Sequence, residues 1–149
     1  METENRLIII SSGSKKYLSV ITKGQEFITN EGKIEFDKIE KIPSNIKSST
    51  GKVFLVYAPS YREFILLMKR GPQIIYPKDL GSIIISANIN SNSNVLEIGT
   101  GSGALTLFLA LLLGTNSKFY SLDVNKKNQY RAKKTISRYL SIYSSNFFK

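Results

Sequence analysis

Fifteen residues, VLEIGTGSGALTLFL from Val95 to Leu109, restrict what this chain can fold into more than any other stretch. A short apolar run bearing one Glu passes into alternating glycines and leaves as an apolar helical pattern. A strand, glycine loop and helix in that order place backbone N–H groups and a helix N-terminus at the carboxyl end of a parallel strand. That is where open α/β sheets hold ligands. Gly99, Gly101 and Gly103 remove side chains, so a ligand can lie against the backbone. A dinucleotide is one candidate: G-x-G-x-x-G/A fits loosely as Gly99, Gly101 and Ala104, and Asp123, about 20 residues on, would take ribose hydroxyls. A glycine-rich turn that holds no ligand is the plainest alternative.

Glu97 separates the ligand candidates. It sits in the strand just ahead of the loop, where a dinucleotide pyrophosphate approaches, and a carboxylate there repels phosphate. The same carboxylate suits a cationic ligand, or orients the loop that holds one. S-adenosyl-L-methionine carries both a sulfonium and an ammonium.

Composition bounds the chemistry. The 149 residues are 42% hydrophobic, enough to bury a core, and contain no Cys and no His. Disulfides, thiolate nucleophiles, imidazole metal sites and every Ser-His or Cys-His arrangement are therefore excluded. Catalysis would have to use carboxylates, Lys, Tyr, backbone amides or a bound cofactor. The formal charge of +10 favours polyanionic partners, nucleic acid first, though Lys, Ile, Asn and Ser are frequent throughout and a general lysine bias gives the same number. The longest apolar run, Ala104 to Leu113, covers about half of a membrane span, and METENRLIII is acidic where a signal peptide is basic. A soluble, cytoplasmic protein is expected, with no membrane partner.

Residues 6–57 read as short strands. RLIIISS and KKYLSVI flank Ser12-Gly13-Ser14, and EFIT and KIEF flank Asn30-Glu31-Gly32, two hairpin signals. SNIKSSTG reads as a polar loop before the strand KVFLVYAP. At Ser60 the period changes: Ser60-Tyr61-Arg62-Glu63 has the S-x-x-E form of a capping box, and Phe64, Leu67 and Met68 recur at helical spacing. Gly71-Pro72 ends that helix, and Asp79 is placed to cap a second one running to about Ile89. An α/β alternation follows, with a strand over 95–98, a helix over 103–113, a strand over 118–124 and a helix over about 126–143. The expected organisation is a small all-β domain over 1–58, a helical connector over 59–94 and the beginning of an α/β domain over 95–149.

The pattern Glu97, Gly99, Gly101, Gly103, with an acid at the end of the next strand, resembles class I methyltransferases. LLMKRGPQIIYPKD, Leu66 to Asp79, followed by VLEIGTGSGALTL, resembles the tRNA adenine-N1 methyltransferases that modify adenosine 58 of the T-loop. The likeness runs over residues 5–140 and includes the small β domain, its Ser49-Thr50-Gly51 turn and APSYREFILLMKRG. It implies a Rossmann-like class I methyltransferase domain, S-adenosyl-L-methionine as cofactor, tRNA as partner and a homo-oligomer, a tetramer in the family. Carried over by position, the cofactor site comprises Gln73, Glu97, Gly99, Thr100, Gly101, Ser102, Gly103, Ala104, Leu105, Thr106 and Asp123. Gln73 would lie over the methionine end, and Thr100 to Leu105 would wrap the amino-acid and ribose portions. Tyr76 and Pro77 read as packing residues.

Two features depart from the family pattern. Its Thr-His-Arg/Lys-Gly turn reads Thr29-Asn30-Glu31-Gly32 here, which weakens an RNA-gripping role and leaves a structural turn that Asn and Gly can adopt at positive φ. The family's catalytic Asp, in an Asp-x-x-x-Pro-Trp context, has no counterpart in these 149 residues. The expectation is a fragment lacking the catalytic segment. A non-catalytic subunit or RNA-binding remnant that partners a complete methyltransferase, and a dinucleotide-dependent oxidoreductase, are the alternatives. The last helix, with Arg131, Lys134 and Arg138 at i, i+3 and i+7, presents either a phosphate-binding face or an ordinary solvated one, and Tyr130, Ile136, Leu140 and Tyr143 read as its packing side.

Overall fold

The computed structural model describes residues 5–69 and 74–140. They fall into two compact units, the first reaching Leu67 and the second running from Met68 to Leu140. The boundary between the units falls within the 59–94 stretch.

The first unit opens with β1 (Leu7–Ser12) and β2 (Lys15–Val20), an antiparallel hairpin turning at Gly13 with φ 58°. A second hairpin joins β3 (Glu26–Thr29) to β4 (Gly32–Glu35), and a single 3-10 turn follows over Phe36–Lys38. Then come β5 (Ser44–Lys47), β6 (Val53–Tyr57) and α1 (Tyr61–Leu67). The main sheet has the order β2-β1-β6-β5, all antiparallel. β1 is an inner strand, and Leu7, Ile8, Ile9 and Ile10 are buried on both faces. Ile8, Ile10, Ile34, Phe36, Ile46, Phe54 and Val56 form the core, closed at its side by Tyr17 and Phe27.

SNIK is a strand, which corrects its reading as part of a polar loop. One inward Ile46 suffices, because Ser44, Asn45 and Lys47 can pair along β6 while their side chains stay outside the core. Ser48 to Gly51 then form the turn into β6, with the Gly51 N–H donating to the Ser48 carbonyl. The 29–32 turn is a structural one. The Glu31 carbonyl accepts from the hydroxyls of both Ser48 and Thr50 at 2.7 Å. Gly32 takes φ 104°, and a side chain there would stand 2.8 Å from the Ser48 hydroxyl. Asn30 does not adopt positive φ, so the glycine alone carries that demand.

The capping box forms as the sequence predicts. The Ser60 hydroxyl receives the Glu63 N–H at 3.3 Å, and Glu63 Oε2 receives the Ser60 N–H at 3.2 Å. Glu63 also accepts from Lys16 of β2 at 2.6 Å and from the Tyr57 hydroxyl of β6 at 2.8 Å. Burial works against ionisation of this carboxyl, but the hydrogen bonds from Lys16, Tyr57 and Ser60 outweigh it and bring it down to about 2.

The second unit contains α2 (Pro77–Ser86), β7 (Val95–Ile98), α3 (Ala104–Leu112), β8 (Phe119–Leu122) and α4 (Lys126–Leu140). Asp79 does not cap α2. The helix begins at Pro77, whose fixed φ suits the first helical position, and Tyr76 is the cap residue. Asp79 instead sits in the first turn, where a carboxylate meets the positive end of the helix dipole. The helix stops at Ser86, ahead of Asn88 in the left-handed region, and does not reach Ile89. β7 and β8 pair in parallel, with Val95 beside Phe119 and Ile98 beside Leu122. On α4, Ala132, Tyr139 and Leu140 are buried, whereas Tyr130 is 70% exposed and so does not belong to the packing side; Tyr143 lies outside the described residues. No helix among the described residues is long and apolar enough to cross a membrane.

Candidate functional site

The glycine loop starts where the β7–β8 ladder stops. The N–H groups of Gly99 and Thr100 both donate to the Leu122 carbonyl, at 2.7 and 3.1 Å, which ends the pairing and turns the chain away from the strand. Gly99, Gly101 and Gly103 have φ of 97°, 54° and 80°, a region costly to any residue with a Cβ. Gly103 then caps α3, and the Leu107 N–H returns to its carbonyl.

The glycines serve different ends. A Cβ on Gly99 would meet nothing within 4 Å among the described residues, so none of them fills that side of the loop. A Cβ on Gly103 would stand 2.9 Å from the Ala132 side chain of α4. Gly103 therefore makes room for a helix.

Two carboxylates frame the loop. Asp123, just past β8, receives the Gly101 N–H on Oδ2 at 2.9 Å and the Asn125 N–H on Oδ1 at 2.7 Å, with Asn128 Nδ2 at 3.4 Å. The Gly101 amide and then the Asn125 amide favour its charged form and hold its carboxyl below the usual range. Glu97 is 6% exposed and lies behind the loop, where its Oε2 receives the Thr106 hydroxyl of α3 at 2.6 Å. The Thr106 oxygen is 3.5 Å from the Ser121 hydroxyl, which is 2.7 Å from that of Thr100. Since Thr106 donates to Glu97, the run Thr100–Ser121–Thr106–Glu97 has a consistent direction if each hydroxyl donates to the next.

Of the residues singled out in the sequence, Glu97, Gly99, Thr100, Gly101, Ser102, Gly103, Ala104, Leu105, Thr106 and Asp123 occupy one strand end, one loop, one helical turn and the neighbouring strand end. Gln73 lies outside the described residues. Sequence reasoning missed four supporting residues. Ser121 follows from the parallel register, which sets it beside Glu97 on the same sheet face. Asn125 is legible in Asp-Val-Asn-Lys-Lys: its side chain receives the Lys127 N–H at 2.9 Å and caps α4, and Asn128 lies one helical turn on. Ala132 leaves no local signal, because only the approach of α4 makes it face Gly103.

The family described as tRNA methyltransferase complex GCD14 subunit matches residues 51–143. A tRNA (adenine(57)-N(1)/adenine(58)-N(1))-methyltransferase, TrmI, of Methanocaldococcus jannaschii is 31% identical over 131 residues, covering 88% of this chain and 46% of that protein. The tRNA (adenine(58)-N(1))-methyltransferase TrmI of Thermus thermophilus is 27% identical over 143 residues, covering 95% and 56%. Among solved structures, a SAM-dependent O-methyltransferase of Thermotoga maritima superposes with a TM-score of 0.87 at 26% identity, over 95% of this chain and 54% of that one. The tRNA (m1A58) methyltransferase TrmI of Aquifex aeolicus gives a TM-score of 0.75 at 33% identity, over 91% and 53%. The chain spans about half the length of the relatives it matches. A glycine loop between two acids, on a fold shared with these methyltransferases and matched over most of its length by one family, leaves a single assignment: this chain belongs to the GCD14 family of tRNA methyltransferases.

Proposed function

We propose that this chain carries the S-adenosyl-L-methionine-binding half of a tRNA adenine-N1 methyltransferase acting on adenosine 58, with tRNA as its macromolecular partner. The cofactor of the family supplies an activated methyl group. The chain's own residues fit a cationic, adenosine-bearing ligand: backbone without side chains at Gly99 and Gly101, a buried carboxylate at Glu97, and at Asp123 a carboxylate held in its charged form. Asp123, at the end of the second parallel strand, is suited to accept hydroxyl hydrogen bonds from a ribose. Thr100 to Leu105 would wrap the amino-acid and ribose portions, Thr106 would hold Glu97 behind them, and Gln73 would lie over the methionine end. The observation that carries this reading is Glu97 directly behind the glycine loop. A pyrophosphate would meet a buried negative charge there, whereas a sulfonium or ammonium would be stabilised. The oxidoreductase alternative has no support among these relatives, each of which is a methyltransferase by name.

The alternative of a non-catalytic subunit or RNA-binding remnant that partners a complete methyltransferase draws only on the family's description as part of a complex, and the fungal relatives, named as catalytic subunits, speak against it. Under it the chain assembles with a complete methyltransferase subunit. Titration calorimetry with S-adenosyl-L-methionine, S-adenosylhomocysteine and NAD separates the readings. Heat with the first two and none with NAD is expected; heat with NAD alone overturns the proposal. Mass spectrometry of treated tRNA for 1-methyladenosine at position 58 then distinguishes an active chain from one that only binds.

A further inference from the structure

The outer face of α4 is built against the stability of the helix that carries it. Residues three and four apart are neighbours on a helix, so Tyr130 stands among Lys126, Lys127, Lys133 and Lys134, at i−4, i−3, i+3 and i+4. All four lysines are exposed and the ring is 70% exposed, whereas Tyr139 of the same helix is buried. Lys127 and Arg131 lie at i, i+4, and Arg131 and Lys134 at i, i+3, like-charge neighbours that destabilise a helix. Lys126 and Lys127 sit in the first turn, where the dipole disfavours cations. Among the described residues no acid forms an ion pair with Lys126, Lys127, Arg131, Lys133 or Lys134. Nothing in the described fold offsets this arrangement; a polyanion would.

Charge by itself asks only for phosphates. The ring adds a flat, sequence-tolerant surface for a base that is not paired. With lysines one turn to either side of it, about 5–6 Å away between Cβ atoms, the phosphates flanking that base each meet a cation. A bilayer fits this face less well, because its other members are Arg131, Ser137 and Arg138 and no aliphatic side chain is there to insert. We propose that the outer face of α4 docks unpaired RNA, with Tyr130 stacked on a base and the surrounding lysines on the adjoining phosphates. The proposal rests on the reading of tRNA as the macromolecular partner and adds the surface and the mode of contact. Loops and ends of a folded RNA present such bases, and a continuous duplex does not.

The test measures fluorescence anisotropy of the full 149-residue chain with tRNA, with labelled single-stranded oligoadenylate, and with the duplex that strand forms with oligouridylate. Tyr130→Ala is expected to weaken binding of tRNA and of the single strand about five-fold or more at an unchanged salt slope, and Tyr130→Phe to keep the affinity of the parent chain. Lys126→Gln with Lys133→Gln should instead lower the slope of log K against log salt on the single strand, by about 0.7 for each phosphate no longer neutralised. Duplex binding should respond to the lysines and not to the ring. Circular dichroism should be the same in all variants; a loss of fold in Tyr130→Ala makes the ring a packing residue and overturns the proposal. Unchanged RNA affinity in Tyr130→Ala overturns it while leaving the methylation reading standing. Absence of RNA binding by the parent chain overturns it together with the reading of tRNA as partner. An equal loss on the duplex also overturns it, since a paired base offers the ring no face. Binding to phosphatidylserine vesicles that depends on Tyr130, with RNA binding that does not, assigns the face to a lipid surface and overturns it too.

Discussion

Glu97 and Thr106 form a polar pair beneath an otherwise apolar helix, and their cost and use can be measured separately. Replacing Thr106 by Val keeps the shape but removes the hydroxyl that donates to a buried carboxylate oxygen. We expect a loss of about 1–3 kcal/mol of stability in urea unfolding, largely recovered in Thr106→Ser. At Gly103, Ala would combine a φ of 80° with a Cβ 2.9 Å from Ala132. Gly103→Ala should cost about 1–2 kcal/mol from the backbone and more from the clash. Ala132→Gly in the same chain should restore only the second part, and the unfolding midpoints of the three variants check this. The Glu-x-Gly-x-Gly-x-Gly pattern was legible because a strand-to-helix turn of this sharpness demands those residues. That Gly103 faces a helix was not, because its neighbour is 29 positions away.

Among the elements, α1 shows how a local signal and a tertiary contact combine. The S-x-x-E box starts the helix, and the same Glu63 fastens it to β2 and β6 through Lys16 and Tyr57. Its carboxyl lies at about 2 in the fold against an ordinary 4.5, so the folded state binds its proton less readily than the unfolded one. The stabilisation is fully present above pH 4.5 and is lost as pH falls toward about 2. Urea midpoints across that range should drop less in Glu63→Gln than in the parent chain, and parallel curves would refute the assignment. Elsewhere, the two hairpins, the α1 cap and the strand–loop–helix of residues 95–112 follow periods and turn residues read directly from the sequence. The strand SNIK escaped that reading, because one apolar residue makes no period and only pairing with β6 defines it. The start of α2 escaped it for another reason: Asp79 and Pro77 both signal a helix N-terminus, and proline's fixed φ decided between them.

At the scale of the whole molecule, the charge of +10 is unevenly spread, and α4 carries Lys126, Lys127, Arg131, Lys133, Lys134 and Arg138, all exposed, with no acid among its 15 residues. Lys126 and Lys127 occupy the first turn, where the helix dipole disfavours cations, so helix stability does not account for them. If tRNA phosphates meet this face, Arg131→Glu with Lys134→Glu should weaken tRNA binding and lower the slope of log K against log salt by about one for each phosphate no longer neutralised. Anisotropy titrations at several salt concentrations measure it, and an unchanged slope assigns the face to solvent.

The sequence alone determined the β-then-α/β order, the loop geometry, the exclusion of thiol and imidazole chemistry, and the family, because these rest on local backbone demands and on which residue types are present. Only the tertiary structure decided that Glu97 is spanned by Thr106, that Asp123 holds the Gly101 amide and that Gly103 admits Ala132. Those facts depend on which distant segments meet. Pairing across a parallel register and packing of one helix on another leave no mark on either segment by itself.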